Sequence, residues 1–124
     1  MARILIIDDE EEIRDVLSLL LTGVGHSVVV AKDGFEGMQL FRAAPADVVL
    51  CDIVMPYGGI ATIRVLRSEY PTVGIIAMSG ASQRRLNMSV DIGANEILGK
   101  PFSTEHLLEA IAKALPKGSE PVKP

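Results

Sequence analysis

Five side chains in this sequence could do chemistry together if the fold brings them to one place: Asp8, Asp9, Asp52, Ser79 and Lys100. Three carboxylates in one pocket repel each other. Two unit charges about 4 Å apart cost about 4 kcal/mol at an effective dielectric near 20, so such a cluster is costly to keep ionised without a cation. Carboxylate oxygens, carbonyls and water suit Mg²⁺. Lys100 supplies a further positive charge and Ser79 a neutral hydroxyl donor. Together these parts suit a tetrahedral dianion held beside a metal. Phosphoryl transfer asks for the same design: position the reactants, then neutralise charge on the transferring oxygens. The remaining reactive types read blandly. Cys51 is the only cysteine, so no internal disulfide forms. It lies in an apolar run beside an acid that disfavours the thiolate, which makes it a buried core thiol in a reducing setting. His26 reads as a turn residue and His106 as an exposed helix residue, on a lone helix without the four-helix-bundle context that a phosphorelay histidine needs.

The elements that must position these groups follow from the hydrophobic pattern. Ile4 to Ile7 reads as a fully buried strand that ends at Asp8 and Asp9. Glu10 to Thr22 carries Ile13, Val16, Leu17, Leu20 and Leu21 at helical spacing, with Gly23 and Gly25 to end it. Ser27 to Ala31 is a second strand, and the capping-box spacing of Asp33 and Glu36 opens a helix carrying Phe35, Met38 and Phe41. Val48 to Ile53 is a third strand, and a third helix carries Ile60, Ile63 and Leu66 before Pro71. Val73 to Met78 is a fourth strand. The segment from Ser82 to Asp91 reads as a weakly anchored helix held by Leu86 and Val90. Glu96 to Leu98 is a short fifth strand, and Ser103 caps a last helix with Leu107, Leu108, Ile111 and Leu115 on its apolar face.

Strands one, three and four are apolar almost throughout, the mark of a parallel sheet covered on both faces. The alternation predicts an α/β fold, a flavodoxin-like (βα)5 doubly wound sandwich with a five-stranded parallel sheet in order 2-1-3-4-5. In such sheets ligands bind beyond the carboxyl ends of the strands. Asp8, Asp9, Asp52, Ser79 and Lys100 all fall there.

Composition sets the limits. The 124 residues are 48% hydrophobic and only 4% aromatic, so the core is aliphatic. A net charge of -4 argues against a broad nucleic-acid surface, and Arg84 with Arg85 reads as a solvated helix face. The N-terminus lacks the long apolar region of a signal peptide, and the apolar stretch from Val16 to Val24 is too short and interrupted to span a bilayer. A cytoplasmic protein with no membrane partner is expected.

The motifs Ile-Ile-Asp-Asp-Glu at 6–10, Asp-Ile-Val-Met-Pro at 52–56, Met-Ser-Gly at 78–80 and Gly-Lys-Pro-Phe at 99–102 resemble the receiver domain of two-component response regulators. Each is weak alone; four in order, each at a predicted strand end, are specific. The resemblance covers about Arg3 to Leu115. It implies a receiver domain over residues 1–116, with 117–124 as a flexible tail or the start of a linker. It further implies a phosphorylation-activated switch rather than an enzyme on an external substrate. Asp52 takes the phosphoryl group from the phosphohistidine of a sensor histidine kinase or a histidine phosphotransfer protein. Asp9 directly, Asp8 mainly through water, Asp52 and the Val54 carbonyl hold Mg²⁺. Ser79 and Lys100 bond the phosphoryl oxygens, and the Lys100–Pro101 bond is cis. The readout is the face of the fourth helix, fifth strand and fifth helix, toward a downstream protein or output domain, or toward a second copy in a phosphorylation-dependent homodimer.

Three departures from the family pattern stand out. The strand-five switch position, usually Tyr or Phe, is Ile97. The loop after Pro56 reads Tyr57-Gly58-Gly59, one residue shorter than usual. Val54 and Ala81 offer no side-chain hydrogen bond to orient an attacking water, which predicts slow loss of the phosphoryl group. Three rival readings are weaker. A phosphorylation-independent receiver-like interaction module would not need the complete constellation. A flavin carrier would want a Ser/Thr/Gly-rich first loop where this chain has five acids. An Asp-nucleophile phosphatase would want a second Asp at position 54.

Overall fold

Alternation along each strand decides which layer each side chain joins. The computed structural model describes residues 2–55, 58–80, 87–88 and 90–115. In chain order the elements are β1 (Arg3–Ile7), α1 (Glu11–Gly23), β2 (Ser27–Ala31), α2 (Gly34–Ala43), β3 (Val48–Asp52), α3 (Gly59–Glu69), β4 (Gly74–Ser79), β5 (Glu96–Gly99) and α4 (Thr104–Ala114). The strands pair in parallel in the order β2-β1-β3-β4-β5. Leu5, Ile7, Val49, Cys51, Ile75 and Ala77 face one layer, where Met38 and Phe41 of α2 and Ile63 and Leu66 of α3 meet them. Ile4, Ile6, Val48, Leu50, Ile76 and Met78 face the other, against Leu17 and Leu21 of α1 and Leu107 and Ile111 of α4. Fully burying one such aliphatic side chain is worth about 1.5–3 kcal/mol, and β3 and β4 are buried at every position. The expected doubly wound sandwich and its strand order are both present.

Local sequence explains the helix ends, with some corrections. Asp33 caps α2 by accepting the Glu36 N–H at 2.8 Å. The box does not close in the usual way: the Glu36 carboxylate accepts from the Lys32 N–H, one residue earlier than the cap. Ser103 caps α4 as predicted, accepting from the His106 N–H. Val16 and Phe35 were expected on apolar faces, yet both are exposed, because each lies just outside the arc that its helix turns toward the sheet. Helical residues occur at 87–88 and 90–91. Val90 is exposed and does not anchor that segment, and the Leu86 anchor and residues 81–86 lie outside the described residues. The predicted tail at 117–124 also lies outside them. No helix among the described residues is long and apolar enough to cross a membrane.

At the amino edge of the sheet, where the strands begin, Arg67 ties the start of β4 to the approach to β5. Arg67, near the end of α3, donates to the Gly93 carbonyl at 3.0 Å, the Pro71 carbonyl at 2.8 Å and Asn95 Oδ1 at 2.7 Å. Asn95 Oδ1 also accepts the Ile75 N–H, and the Asn95 N–H returns to the Ile75 carbonyl, so the start of β4 and the approach to β5 are joined through it. Gly93 has φ of 130°, and a Cβ there would meet the Arg67 stem. Glycine is the residue that allows both.

Candidate functional site

At the carboxyl edge the strand ends present polar residues where apolar ones stop. Asp8 follows β1, Asp52 ends β3, Ser79 ends β4 and Lys100 follows β5. The Lys100 N–H donates to the Ser79 carbonyl at 2.7 Å, and the Lys100–Pro101 peptide is cis, as the resemblance implied. Asp8, Asp52 and Ser79 are buried, while Asp9 is exposed. α3 closes on this edge because residue 59 has no side chain; a Cβ on Gly59 would overlap the Asp52 carbonyl oxygen. Gly58, in the left-handed region at φ 62°, makes the turn into the helix. Pro56, Tyr57 and Ala81 lie outside the described residues, so the shortened loop is described only from Gly58 onward.

One ammonium serves several carboxylates. Lys100 Nζ lies 2.9 Å from Asp8 Oδ2, 3.1 Å from Asp52 Oδ2 and 3.6 Å from Glu10 Oε1. The other oxygens of the two buried acids are held by backbone: Asp8 Oδ1 accepts the Glu10 N–H at 2.9 Å, and Asp52 Oδ1 accepts the Val54 N–H at 2.8 Å. Arg14 donates to the Asp8 carbonyl at 2.7 Å. Burial pushes the Asp52 carboxyl above its usual range, and the nearby Asp8 charge adds to this; bonds from Val54 and Lys100 oppose the rise without cancelling it. Burial pulls the Lys100 ammonium down, but its bonds and charge contacts with Asp8 and Asp52 outweigh that and raise it. Cys51 is free and buried, and burial with the two neighbouring acids pushes its thiol far up. It is the inert core thiol that its position predicted.

The donor set fits a small divalent cation. One carboxylate oxygen each from Asp8, Asp9, Glu10 and Asp52 lie within 4.8 Å of one another. Around an octahedral Mg²⁺ with bonds near 2.0–2.1 Å, opposite ligands are about 4 Å apart, so only a small contraction separates this cluster from a coordination shell. Glu10 was absent from the sequence-based metal set, although it sits in the same acidic run. Glu10 is the N-cap of α1, yet its side chain makes no capping bond. Asp8 and Asp9 lie before the cap position. Val54 is exposed, and its N–H is the donor to Asp52 Oδ1. Ile97 pairs in register with Ala77 and packs half-buried against the α2–α3 layer.

A doubly wound parallel sheet with polar residues gathered beyond its carboxyl edge defines the class of open α/β proteins that bind ligands at a strand-order switch. The response regulator receiver domain model matches residues 4–112, and the chain belongs to that family. Response regulator MprA of Mycobacterium sp. (strain KMS) is 36% identical over 121 residues, covering 94% of this chain and 52% of that protein. Transcriptional regulatory protein CpxR of Escherichia coli (strain K12) is 33% identical, covering 93% of this chain and 50% of that protein. This chain thus spans about half the length of the curated relatives it matches. Among solved structures, the Vibrio cholerae chemotaxis protein CheY4 superposes with a TM-score of 0.85 at 31% identity, covering 93% of this chain and 99% of that one. The chain is therefore a receiver domain of the two-component type, consistent with a phosphorylation-activated switch.

Proposed function

We propose that Asp52 is the phosphoryl acceptor and that the donor is phosphohistidine on a sensor histidine kinase or histidine phosphotransfer protein. The observation that carries this is the shared ammonium: Lys100 bridges Asp52 and Asp8 at 3.1 and 2.9 Å, at the one edge where the strand order reverses. An Asp52 oxygen forms the new O–P bond as the donor's P–N bond breaks, and the imidazole leaves with its electron pair. Lys100 and Ser79, from the ends of β5 and β4, would bond the transferred oxygens. Asp8, Asp9, Asp52 and the Val54 carbonyl would hold Mg²⁺, with Glu10 as a further oxygen at hand. When bound, that ion supplies charge neutralisation for the acid cluster and the incoming dianion. The chain acts on no external substrate; it takes part only in its own phosphorylation and its slow reversal.

The phosphoryl group adds about two negative charges and three acceptors. It shifts the population toward whichever state bonds it better through Ser79 and Lys100. The readout proposed is the surface of β5, α4 and the helical segment before β5, toward an output domain, a separate target protein or a second copy. Residues 1–116 form the receiver in this reading, and 117–124 a tail or the start of a linker. The reading assigns the chain to the cytoplasm, where ATP-fed kinases phosphorylate their histidines. Incubation with a small phosphodonor and Mg²⁺ should add one phosphoryl group to the wild type and none to Asp52→Asn, whose circular dichroism stays native. Incorporation that persists in that variant at another residue overturns the assignment. A wild type that stays unmodified favours a phosphorylation-independent binding module.

A further inference from the structure

Glu10 is the residue at this site that the reaction does not require and that capping does not explain. Its side chain is 63% exposed, makes no bond to the first turn of α1, and reaches to 3.6 Å from the Lys100 ammonium. It therefore stands at the mouth of the pocket, above the buried pair Asp8 and Asp52. Glu11 and Glu12 continue the acidic surface over the first turn of α1. Residues 8 to 15 hold six acids against the single cation Arg14, and Arg14 is turned to the Asp8 carbonyl. A phosphodonor that approaches Lys100 past Glu10 meets this acidic rim.

We infer that Glu10, backed by Glu11 and Glu12, is a specificity determinant that discriminates among phosphodonors by their charge. It disfavours free dianionic acyl phosphates and spares P–N donors that carry less negative charge. The inference rests on the reading of Asp52 as the acceptor. Physically, repulsion between like charges scales with the donor's charge, is strongest where the low-dielectric wall of the sheet edge limits screening, and falls with ionic strength. Acetyl phosphate is a dianion at neutral pH. Phosphoramidate, protonated on nitrogen, carries a net single negative charge. Both transfer the same group: Asp52 gains the O–P bond, and acetate or ammonia departs with the electrons of the broken bond. Glu10 thus acts on approach and on the share of Lys100 available to the donor, with no role in bond making.

The test is the ratio of Asp52 phosphorylation rates with the two donors, measured on the purified chain with Mg²⁺ by intact mass or ³¹P resonance. Glu10→Gln should raise the acetyl phosphate rate relative to the phosphoramidate rate by about three- to five-fold at low salt. Glu10→Asp, which keeps the charge, should hold the wild-type ratio. Raising salt from about 50 mM to about 500 mM should bring wild type and Glu10→Gln together. The inference is overturned if Glu10→Gln leaves the ratio unchanged while wild type accepts from both donors. It is equally overturned if Glu10→Asp changes the ratio as much as Glu10→Gln, since that marks a packing effect rather than charge. A wild type inert to both donors sinks the acceptor reading and this inference with it.

Discussion

The two edges of the sheet each hold a half-buried cation, and they treat it in opposite ways. At the amino edge Arg67 meets only neutral acceptors, the carbonyls of Gly93 and Pro71 and the amide oxygen of Asn95. Its charge is spread over satisfied bonds, and nothing there waits for a ligand. At the carboxyl edge Lys100 meets Asp8, Asp52 and Glu10, with Asp9 close by. There one ammonium is outnumbered by carboxylates, and burial has already lifted the Asp52 pKa. The first arrangement is complete as it stands and belongs to stability. The second is under-neutralised and belongs to binding. The same fold keeps a hydrogen-bonded strap and an electrostatic deficit about one strand length apart.

The largest expected effect tests the strap. Arg67→Ala should lower the unfolding free energy by about 2 kcal/mol, because its bonds to the Gly93 and Pro71 carbonyls and to Asn95 are lost together with the packing of its stem. Urea unfolding measures this, and phosphoryl uptake at Asp52 should stay within about two-fold of wild type when the two edges are independent. Uptake that falls in step with stability would break the contrast. Next, Asp8→Asn removes one carboxylate from the deficit. Mg²⁺ affinity by titration calorimetry should drop about ten-fold, or about 1.4 kcal/mol, while metal-free stability holds or rises. A metal-free protein that becomes clearly less stable would show that Asp8 works as a strap too.

A smaller effect concerns the exposed Val54, two residues past Asp52, the proposed acceptor. Val54→Asn offers an amide that can orient water, so the phosphoryl group should be lost about three- to ten-fold faster, a change of about 1 kcal/mol in barrier. Equal decay rates in the two proteins would refute the slow-release expectation. The smallest effect is a pH slope. Asp52 binds its proton more tightly in the folded state than in the unfolded chain. Its contribution to stability is therefore full below the ordinary carboxylate range and lost as pH rises through the raised value. In metal-free buffer Asp52→Asn should gain on wild type by a few degrees in Tm as pH climbs from about 4 to about 7. A flat difference in scanning calorimetry would place the acid in a better-solvated site than its burial indicates.

The carboxyl edge was legible in the sequence because each of its acids interrupts an apolar run, and a charge at the end of a buried strand has few structural uses. The sheet order and both layers followed from the near-continuous apolar strands and the helix-period segments between them. The strap was not legible. Arg67 sits beside Leu66 on an ordinary amphipathic helix, and apart from Asn95 Oδ1 its acceptors are backbone carbonyls, which no pattern of residue types reveals. Gly93 and Asn95, flanking Ala94 just before a strand, were the available hint. Glu10 was hidden for another reason: an acid at the start of a helix has a routine role in capping, and only the structure shows that its side chain makes no such bond. Val16 and Phe35 were misplaced because spacing gives a helix its apolar arc but not that arc's width.

Gly59 fixes one further property of the molecule. With no side chain between them, α3 begins against the backbone of Asp52 and Ile53, so the acceptor has a rigid wall on that flank. Whatever bulk is added to its carboxylate cannot be absorbed there by backing away. Under the proposed acceptor role, any displacement would run instead toward the flank where β4 and β5 end, away from a contact too close to admit a methyl group.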